Sequence, residues 1–255
     1  MNGIKIYPAG KTMALTHACH FLSCQGLDIA DCPSADVTHL LLPVPSFEPT
    51  GQIKGGADLV HILSRLPKDI TVMGGNLKHP ALAHYKCADF LQDPVYLAEN
   101  AAITAQCAIT IAANNLPVTF KDCPALVIGW GRIGKCLAAD LLALGADVTV
   151  AARNPADRAM LLALGYRSIP TGELAPYLMR YRVILNTVPV PVLSEADTAR
   201  CRHDCIKIDL ASQLGIAGSG VIWAKGLPNQ EAPESSGKLI AKTVIRLAAG
   251  KEESL

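Results

Sequence analysis

Three glycines with the spacing of a phosphate-binding turn lie in the second half of the chain. The stretch Gly129-Trp130-Gly131-Arg132-Ile133-Gly134 follows an apolar run, Ala125–Ile128, and precedes a segment with helical periodicity. In such a turn the first glycine permits a tight bend, the second lets the backbone approach a pyrophosphate, and the third lets the helix press against the strand. The free N–H groups at the helix N-terminus then face the phosphates. The alternative, a glycine-rich turn that binds nothing, explains less of the strand-turn-helix-strand order.

The residues after the next predicted strand, Asp147–Ala152, bear on which dinucleotide would bind. A unit that binds NAD usually carries Asp or Glu at this strand end, where the carboxylate bonds the ribose hydroxyls. This chain has Arg153 and Asn154 instead, with Arg158 about one helical turn further on. A guanidinium matches the oxygens of a 2′-phosphate. We therefore predict NADP(H), with NAD(H) as second choice; a solvated surface arginine is the alternative.

Polar residues follow two later predicted strands. Asn186, Thr187, Val188 and Pro189 follow one, and Asp209 and Ser212 stand at the end of the other. Because ligands in open α/β sheets bind beyond the carboxyl ends of the strands, we expect these six residues to line the nicotinamide end of the crevice. Ordinary turn chemistry is the alternative for the first group.

Strands and helices that could position these residues alternate along the whole chain. Strands are predicted at residues 4–7, 38–42, 70–73, 125–129, 147–152, 182–186, 205–210 and 221–224. Helices are predicted at residues 11–24, 57–66, 94–114, 132–144, 155–164, 171–178 and 233–249. This alternation predicts an α/β protein with parallel sheets covered by helices.

The helix predicted at about residues 94–114 divides the chain into two Rossmann-like domains and bridges them. Residues 1–115 are expected to form an N-terminal α/β domain that binds the substrate, and residues 116–232 the NADP-binding Rossmann domain. By analogy with two-domain dehydrogenases, residues 233–255 are expected to form a helix that returns to the first domain.

Composition excludes several classes of partner. The net charge of +1 gives no field that would draw the chain to nucleic acid or to an anionic membrane. No run of eighteen apolar residues predicts a membrane span, and residues 1–8 lack the layout of a signal peptide, so a cytoplasmic location is expected. The nine cysteines are expected to be reduced and mostly buried. Residues 201–205 hold two of them and a histidine, but no second Cys/His pair completes a metal shell, so no metal is predicted.

The motifs taken in order resemble those of the A subunit of dipicolinate synthase. They are the glycine turn at 129–134, Ala-Ala-Arg at 151–153, Asn-Thr-Val-Pro at 186–189, Asp-Leu-Ala-Ser at 209–212, Gly-Leu-Pro at 226–228 and Ala-Pro-Glu-Ser-Ser-Gly-Lys at 232–238. The resemblance covers roughly residues 94–250. Individual motifs also resemble those of D-2-hydroxyacid dehydrogenases and S-adenosylhomocysteine hydrolase, but their order favours the dipicolinate family.

The resemblance implies a pyridine-nucleotide oxidoreductase that converts a dihydro- or hydroxytetrahydro-dipicolinate into dipicolinate for the spore core. It also implies a flavoprotein-like B subunit as partner, and a homo-oligomer is expected. A dicarboxylate substrate needs cationic or N–H donors, which makes Lys11 a candidate. His17 is an acid/base candidate because imidazole titrates near neutral pH. Glu99 is a candidate because the family pattern also has a glutamate at this position, near the start of the bridging helix.

Two other functions remain open. The loop at residues 9–12 and the start of the bridging helix at residues 96–100, which keeps only the Glu, depart from the family pattern, as does the stretch at residues 213–216. The altered N-terminal loops indicate, as one alternative, a catalytically diverged NADP-binding regulatory or scaffold subunit. The third hypothesis is a dehydrogenase of another 2-oxo or 2-hydroxy acid.

Overall fold

A computed structural model describes residues Gly3–Ala248 of the chain. The chain divides into two compact units. The first unit is formed by the residues up to Asn100 together with those from Pro228 onward, and the second unit by Ala101–Leu227.

The first unit is built on a five-stranded sheet in which every strand pair is parallel. Its strands are β1 (Lys5–Pro8), β2 (Asp28–Ile29), β3 (His39–Leu41), β4 (Thr71–Gly74) and β5 (Lys86–Asp89). Their order across the sheet is β2-β1-β3-β4-β5, the order of flavodoxin-like folds. The chain reverses its winding between β1 and β3, so the loops after these two strands form the switch point of this unit.

Five α-helices of the described residues belong wholly or partly to the first unit: α1 (Met13–Cys24), α2 (Leu59–Ser64), α3 (Pro94–Asn115) and, near the C-terminus, α7 (Leu227–Glu231) and α8 (Pro233–Ala248). The Thr12 hydroxyl caps α1 by accepting a hydrogen bond from the Leu15 N–H at 3.2 Å. Helix α8 packs along α1. The predicted return of the C-terminal helix to the first domain is thus confirmed.

The second unit has a six-stranded sheet, again parallel throughout. Its strands are β6 (Pro124–Ile128), β7 (Asp147–Ala152), β8 (Arg167–Pro170), β9 (Val183–Asn186), β10 (Ile206–Asp209) and β11 (Val221–Trp223). The order β8-β7-β6-β9-β10-β11 is that of the Rossmann fold, with the switch point between β6 and β9. β6 and β9 are fully apolar apart from Asn186 and are buried, as central parallel strands must be.

The helices of the second unit are α4 (Arg132–Ala143), α5 (Pro155–Ala163), α6 (Glu195–Thr198) and α7 (Leu227–Glu231), the last of which crosses into the first unit. The helix predicted at residues 171–178 is instead two 3₁₀ turns, Thr171–Glu173 and Ala175–Arg180. Pro176 lies in the second of these turns, where it has no N–H to donate to a longer α-helix. The predicted fold class, two parallel-sheet α/β domains, is confirmed.

Helix α3 is the one helix in the described part of the chain that is long and apolar enough to cross a membrane. A core helix of a soluble protein passes the same test. Ala101, Ala105, Ala108 and Ala112 of α3 are buried inside the protein, as expected of a core helix. The cytoplasmic location stays a prediction.

Candidate functional site

The three glycines of the predicted turn have three different surroundings. Gly129 directly follows β6 with φ +107, and a Cβ there would overlap the Thr187 hydroxyl. A Cβ at Gly134 would overlap the Gly129 carbonyl oxygen, so helix α4 lies directly against the turn. At Gly131 nothing lies within 4 Å of a Cβ position. The first and third glycines are therefore required by the fold, whereas the second faces open space that a ligand can enter.

The N-terminus of α4 is available to an anion. Its N-cap residue is Gly131, which has no side chain to bond the N–H groups of the first turn. The macrodipole of a twelve-residue helix adds a partial positive charge at this end. A pyrophosphate beside Gly131 would satisfy these donors without displacing any side chain.

A cavity of about 900 Å³ opens at this helix end. Gly129, Trp130 and Gly131 line one side, and Val188 and Pro189 line another. The first group follows β6 and the second follows β9, so the cavity lies at the topological switch point of the sheet. This is where ligands bind in open α/β folds.

Arg153 and Asn154, which follow β7, line the same cavity, and the Arg153 side chain is exposed to solvent. The Asn154 carboxamide caps α5 by accepting a hydrogen bond from the Ala156 N–H at 2.9 Å. One amino group of Arg158 donates to the carbonyls of Ala152 and Arg153, at 3.0 and 2.7 Å. Arg158 therefore holds the strand end in place, while Arg153 is the arginine that lines the cavity.

Asn186 and Asp209 form a fully buried pair at the ends of β9 and β10. The Asn186 amide donates to a carboxylate oxygen of Asp209 at 3.1 Å and to the Val188 carbonyl at 3.0 Å. That same Asp209 oxygen accepts from the N–H groups of Gly215 and Ile216, at 2.7 and 2.9 Å. These side chains thus shape the loops beyond the two strands, and their predicted contact with the cofactor stays a prediction.

The other predicted binding residues differ in what they contact. The Thr187 hydroxyl donates to the Ile128 carbonyl at 3.0 Å and so ties the β9 end to the glycine turn. Ile133 is half-buried in the first turn of α4, whereas Arg132 and Ser212 are exposed. Trp130 packs edge-on against Tyr166 with ring centroids 5.8 Å apart, which places an aromatic wall beside the turn.

The three residues predicted as candidates for catalysis lie in the first unit and are not grouped around one another. Lys11 is exposed, and its backbone N–H donates to the Lys54 carbonyl at 3.0 Å. His17 packs against α8, where a Cβ on Gly237 would meet it. Glu99 forms an ion pair with Lys242 at 2.9 Å. The interactions seen for His17 and Glu99 hold α8 in place, so a catalytic role for either stays a prediction.

The cavity has further lining residues that sequence reasoning missed. They include Asp157, Thr171, Gly172 and Asp197. Thr171 and Gly172 directly follow β8, a strand whose sequence Arg-Ser-Ile-Pro has too few apolar residues to be recognised. Their position after the third strand of the unit is the signal that would have found them.

The described residues include no group of three or more His, Cys, Asp or Glu side chains that could hold a metal ion. In the segment 201–205, Asp204 instead forms ion pairs with Arg182 and Arg202, at 3.1 and 2.8 Å.

The chain matches no protein-family profile. The A subunit of dipicolinate synthase from Bacillus subtilis (strain 168) is 28% identical over 158 residues, which cover 59% of this chain and 53% of that protein. The match therefore spans about half the length of the curated relative. These findings confirm the resemblance that the motifs predicted.

Solved structures extend the likeness of fold to the whole chain. The A subunit of dipicolinate synthase from Bacillus halodurans superposes with a TM-score of 0.85 at 21% identity, covering 97% of this chain and 98% of that one. The same subunit of the Bacillus subtilis synthase gives a TM-score of 0.83 at 22% identity, covering 98% and 97%. Salmonella D-lactate dehydrogenase shares the fold at a TM-score of 0.62 and 13% identity, covering 99% and 98%. The fold is that of two-domain dehydrogenases.

Proposed function

We propose that the chain is a pyridine-nucleotide-dependent oxidoreductase that binds NADP(H) in the crevice of its second unit. One observation carries the proposal: the glycine turn, the uncapped start of α4 and Arg153 all face the same cavity. The turn and the helix start can bind the pyrophosphate of NADP(H), and Arg153 can bind its 2′-phosphate. These features also follow one another along the chain in the order expected of a Rossmann fold.

Each part of the cavity has a task in this proposal. The N–H groups at the start of α4 bind the pyrophosphate, and Gly131 lets it approach the backbone. The Arg153 guanidinium binds the 2′-phosphate with forked donors. Val188 and Pro189 supply an apolar wall that keeps water from the nicotinamide ring. The bound nicotinamide would accept or donate the hydride, while the protein binds and orients it.

The substrate that we propose is a dihydro- or hydroxytetrahydro-dipicolinate, oxidised to dipicolinate for the spore core. Support comes from the B. subtilis relative, which is named for dipicolinate synthesis and shares 28% of its residues over the matched part. Because that relative is one subunit of its synthase, we also propose a flavoprotein-like B subunit as partner, and a homo-oligomeric assembly. Substrate binding is assigned to the first unit in this proposal.

Calorimetry tests the cofactor. We expect the protein to bind NADP⁺ more tightly than NAD⁺, because only NADP⁺ carries the phosphate that Arg153 would bind. Arg153→Ala should weaken NADP⁺ binding about 10- to 100-fold, the loss of about 1.5–3 kcal/mol expected for a charge-assisted hydrogen bond. Binding of NAD⁺ should barely change.

Arg167→Ala is the matched control for this measurement. Arg167 is also an exposed arginine of the second unit, at the start of β8, but it pairs with Asp147. We expect its removal to leave both affinities unchanged. Equal affinities of the wild-type protein for the two cofactors would contradict the NADP proposal, whereas failure to bind either would contradict the oxidoreductase proposal as a whole.

A turnover assay tests the substrate. The purified protein, with its flavoprotein-like partner, should form dipicolinate from hydroxytetrahydro-dipicolinate and NADP⁺, measured as dipicolinate absorbance and as NADPH formed. A second candidate function is a regulatory subunit that binds the nucleotide without turnover, and the Glu99–Lys242 ion pair favours it because it occupies a candidate catalytic carboxylate. Tight NADP(H) binding with no dipicolinate formed would support this second function.

A further inference from the structure

The cysteines are less buried than the sequence suggests. Of the nine, three are buried, three are partly exposed and three are exposed, so the expectation that most are buried is wrong. One pair, Cys201 and Cys205, stands apart because the two residues line the same cavity and pack in the same side-chain cluster. Cys201 is partly exposed and follows α6, whereas Cys205 is 5% exposed and directly precedes β10.

Both cysteines line a second cavity, of about 820 Å³. Arg202, His203 and Lys207 line it too, together with the acidic Glu195. Cys205 lies at the amino end of a strand, whereas the nucleotide cavity is lined by residues that follow strands. The thiol pair therefore has its own access to solvent, separate from the site of the proposed oxidoreductase.

The surroundings shift the pKa values of the two thiols in opposite directions. The hydrogen bond with Cys205, which outweighs partial burial, lowers the pKa of Cys201 to about 7; the charge of Lys207 lowers it further and that of Asp197 opposes the shift. The hydrogen bond with Cys201 and burial raise the pKa of Cys205, with Asp204 adding to the rise and Lys207 opposing it. Cys201, the more accessible of the two, is thus the thiol that ionises more readily, and Cys205 is the one that stays protonated more readily.

We propose that Cys201 and Cys205 form a redox-active pair that a hydroperoxide converts into an intramolecular disulfide. The carrying observation is that a partly exposed cysteine and a buried one, four residues apart, line one cavity outside the proposed nucleotide site.

The chemistry balances with one hydroperoxide molecule. The Cys201 thiolate attacks one peroxide oxygen, the O–O bond breaks, and hydroxide leaves; Cys201 becomes a sulfenic acid. The Cys205 sulfur then attacks the Cys201 sulfur, loses its proton, and displaces the hydroxyl, which leaves as water. The two sulfurs lose two electrons in total, and the peroxide is reduced to water and hydroxide. A neighbouring second thiol is what makes the first oxidation product reversible.

Peptide mapping of the full chain tests the product. Protein treated with one equivalent of hydrogen peroxide, then alkylated and digested, should yield a peptide with Cys201 joined to Cys205 that lacks two hydrogen atoms. Dithiothreitol should restore both thiols. In Cys205→Ser the disulfide cannot form, so Cys201 should be recovered as sulfenic acid or its higher oxides. A disulfide to any other cysteine, or no oxidation at Cys201, would overturn the proposal.

The rate of reaction with a neutral aryl disulfide, dithiodipyridine, tests the reactivity in unoxidised protein. At pH 7 the thiolate fraction of a thiol with a pKa of 7 is about fifty times that of a thiol with a pKa of 9. A thiolate of lower pKa is a weaker nucleophile, which reduces this advantage in rate about tenfold. Cys201 should therefore react about fivefold faster than an ordinary thiol and release two thiopyridone molecules, the second when Cys205 attacks the mixed disulfide.

Cys136 is the matched control because it is also partly exposed, while burial raises the pKa of its thiol. Cys136→Ser should leave the fast phase intact, whereas Cys201→Ser should remove it. A fast phase that survives in Cys201→Ser, or a release of one thiopyridone instead of two, would overturn the proposal. Since these reactions need no nucleotide, their failure would leave the oxidoreductase proposal standing.

Discussion

At the scale of single residues, the buried Asp209 carboxylate organises the loop that follows β10. Its oxygens accept hydrogen bonds from the backbone N–H groups of Ala211, Gly215 and Ile216. They also accept one from the side-chain amide of Asn186. An asparagine at this position would have to turn an NH₂ group toward at least one of these donors. We expect Asp209→Asn to lower the free energy of unfolding by about 1.5–3 kcal/mol, measured by urea denaturation.

The control for this substitution is Ser212→Ala, because Ser212 is an exposed residue of the same loop. Its unfolding midpoint should match that of the wild-type protein. If Asp209→Asn were as stable as wild type but bound the nucleotide more weakly, the carboxylate would be a ligand to the cofactor and not a support for the loop.

Sequence reasoning singled out the glycine turn and Arg153, which line one cavity, because the turn depends on backbone geometry and Arg153 on its local position after a strand. It also found Asn186 and Asp209, since polar residues at strand ends stand out from the apolar strands. That their side chains point at each other could not be predicted, because β9 and β10 become neighbours only when the sheet forms. The distance between side chains on two neighbouring strands depends on how those strands pair and in which register. The sequence of one strand does not determine this pairing.

At the scale of elements, an ion pair fixes the last turns of α8 to the start of α3. Arg246 lies 2.7 Å from Asp93, and both side chains are largely buried. Burial raises the pKa of Asp93, but hydrogen bonds from Arg246 and from the Tyr96 N–H outweigh it, so the net pKa is lowered. A carboxyl whose pKa is lower in the folded state contributes stability above its unfolded pKa, about 4, and loses it as pH falls through the folded value.

We expect Arg246→Ala to lower the free energy of unfolding by about 1.5–3 kcal/mol at pH 7. The difference from wild type should stay constant down to about pH 5 and shrink below about pH 4, as Asp93 becomes protonated. Urea unfolding between pH 3 and pH 8 would measure it.

Lys242→Ala is the control on the same helix. The Lys242–Glu99 pair is more exposed, with side-chain exposures of 61% and 39%, so it should contribute less than about 1 kcal/mol. If Arg246→Ala lowered the free energy of unfolding by the same amount at every pH, the arginine would stabilise α8 by its packing alone.

Gly237 sets the distance between α8 and α1. A Cβ at this position would lie 2.7 Å from the Ala14 carbonyl oxygen and 2.9 Å from the Ala18 nitrogen. Ala normally stabilises a helix relative to Gly by about 1 kcal/mol, but here the helices would have to move apart. We expect Gly237→Ala to destabilise the protein by a net of about 1–2 kcal/mol in urea unfolding.

Gly172→Ala provides the contrast, because nothing lies within 4 Å of a Cβ there. That variant should match or slightly exceed the wild-type stability. Equal effects of the two substitutions would mean that the α1–α8 interface tolerates a methyl group and is looser than the structure indicates.

The strands that sequence reasoning missed share a position in the fold. Strands β2, β5 and β8 all lie at sheet edges and carry charged residues such as Asp28, Lys86 and Arg167. Edge strands are exposed along one side, and charges there prevent pairing with other molecules. The apolar signal that revealed the central strands is therefore absent from these three for a physical reason.

At the scale of the whole molecule, the two units are connected differently. The second unit is one continuous segment, Ala101–Leu227, which contains every residue that lines the proposed nucleotide cavity. The first unit is discontinuous, because its sheet comes from the start of the chain and its α8 from the end. The first unit is thus formed by residues far apart in sequence, whereas the proposed nucleotide site is formed by one segment.

Removal of α8 would test whether the stability of the first unit depends on α8 while nucleotide binding by the second unit does not. A chain that ends at Ala232 leaves α1 without its partner and exposes Ala14, Ala18 and the apolar residues around them, so the first unit should lose cooperative unfolding and bind a hydrophobic dye. A chain that ends at Ala248 keeps α8 and serves as control. The affinity for NADP⁺ should stay within about threefold in both chains, a free-energy change below about 0.7 kcal/mol. Loss of NADP⁺ binding in the shorter chain alone would contradict a nucleotide site contained in the second unit.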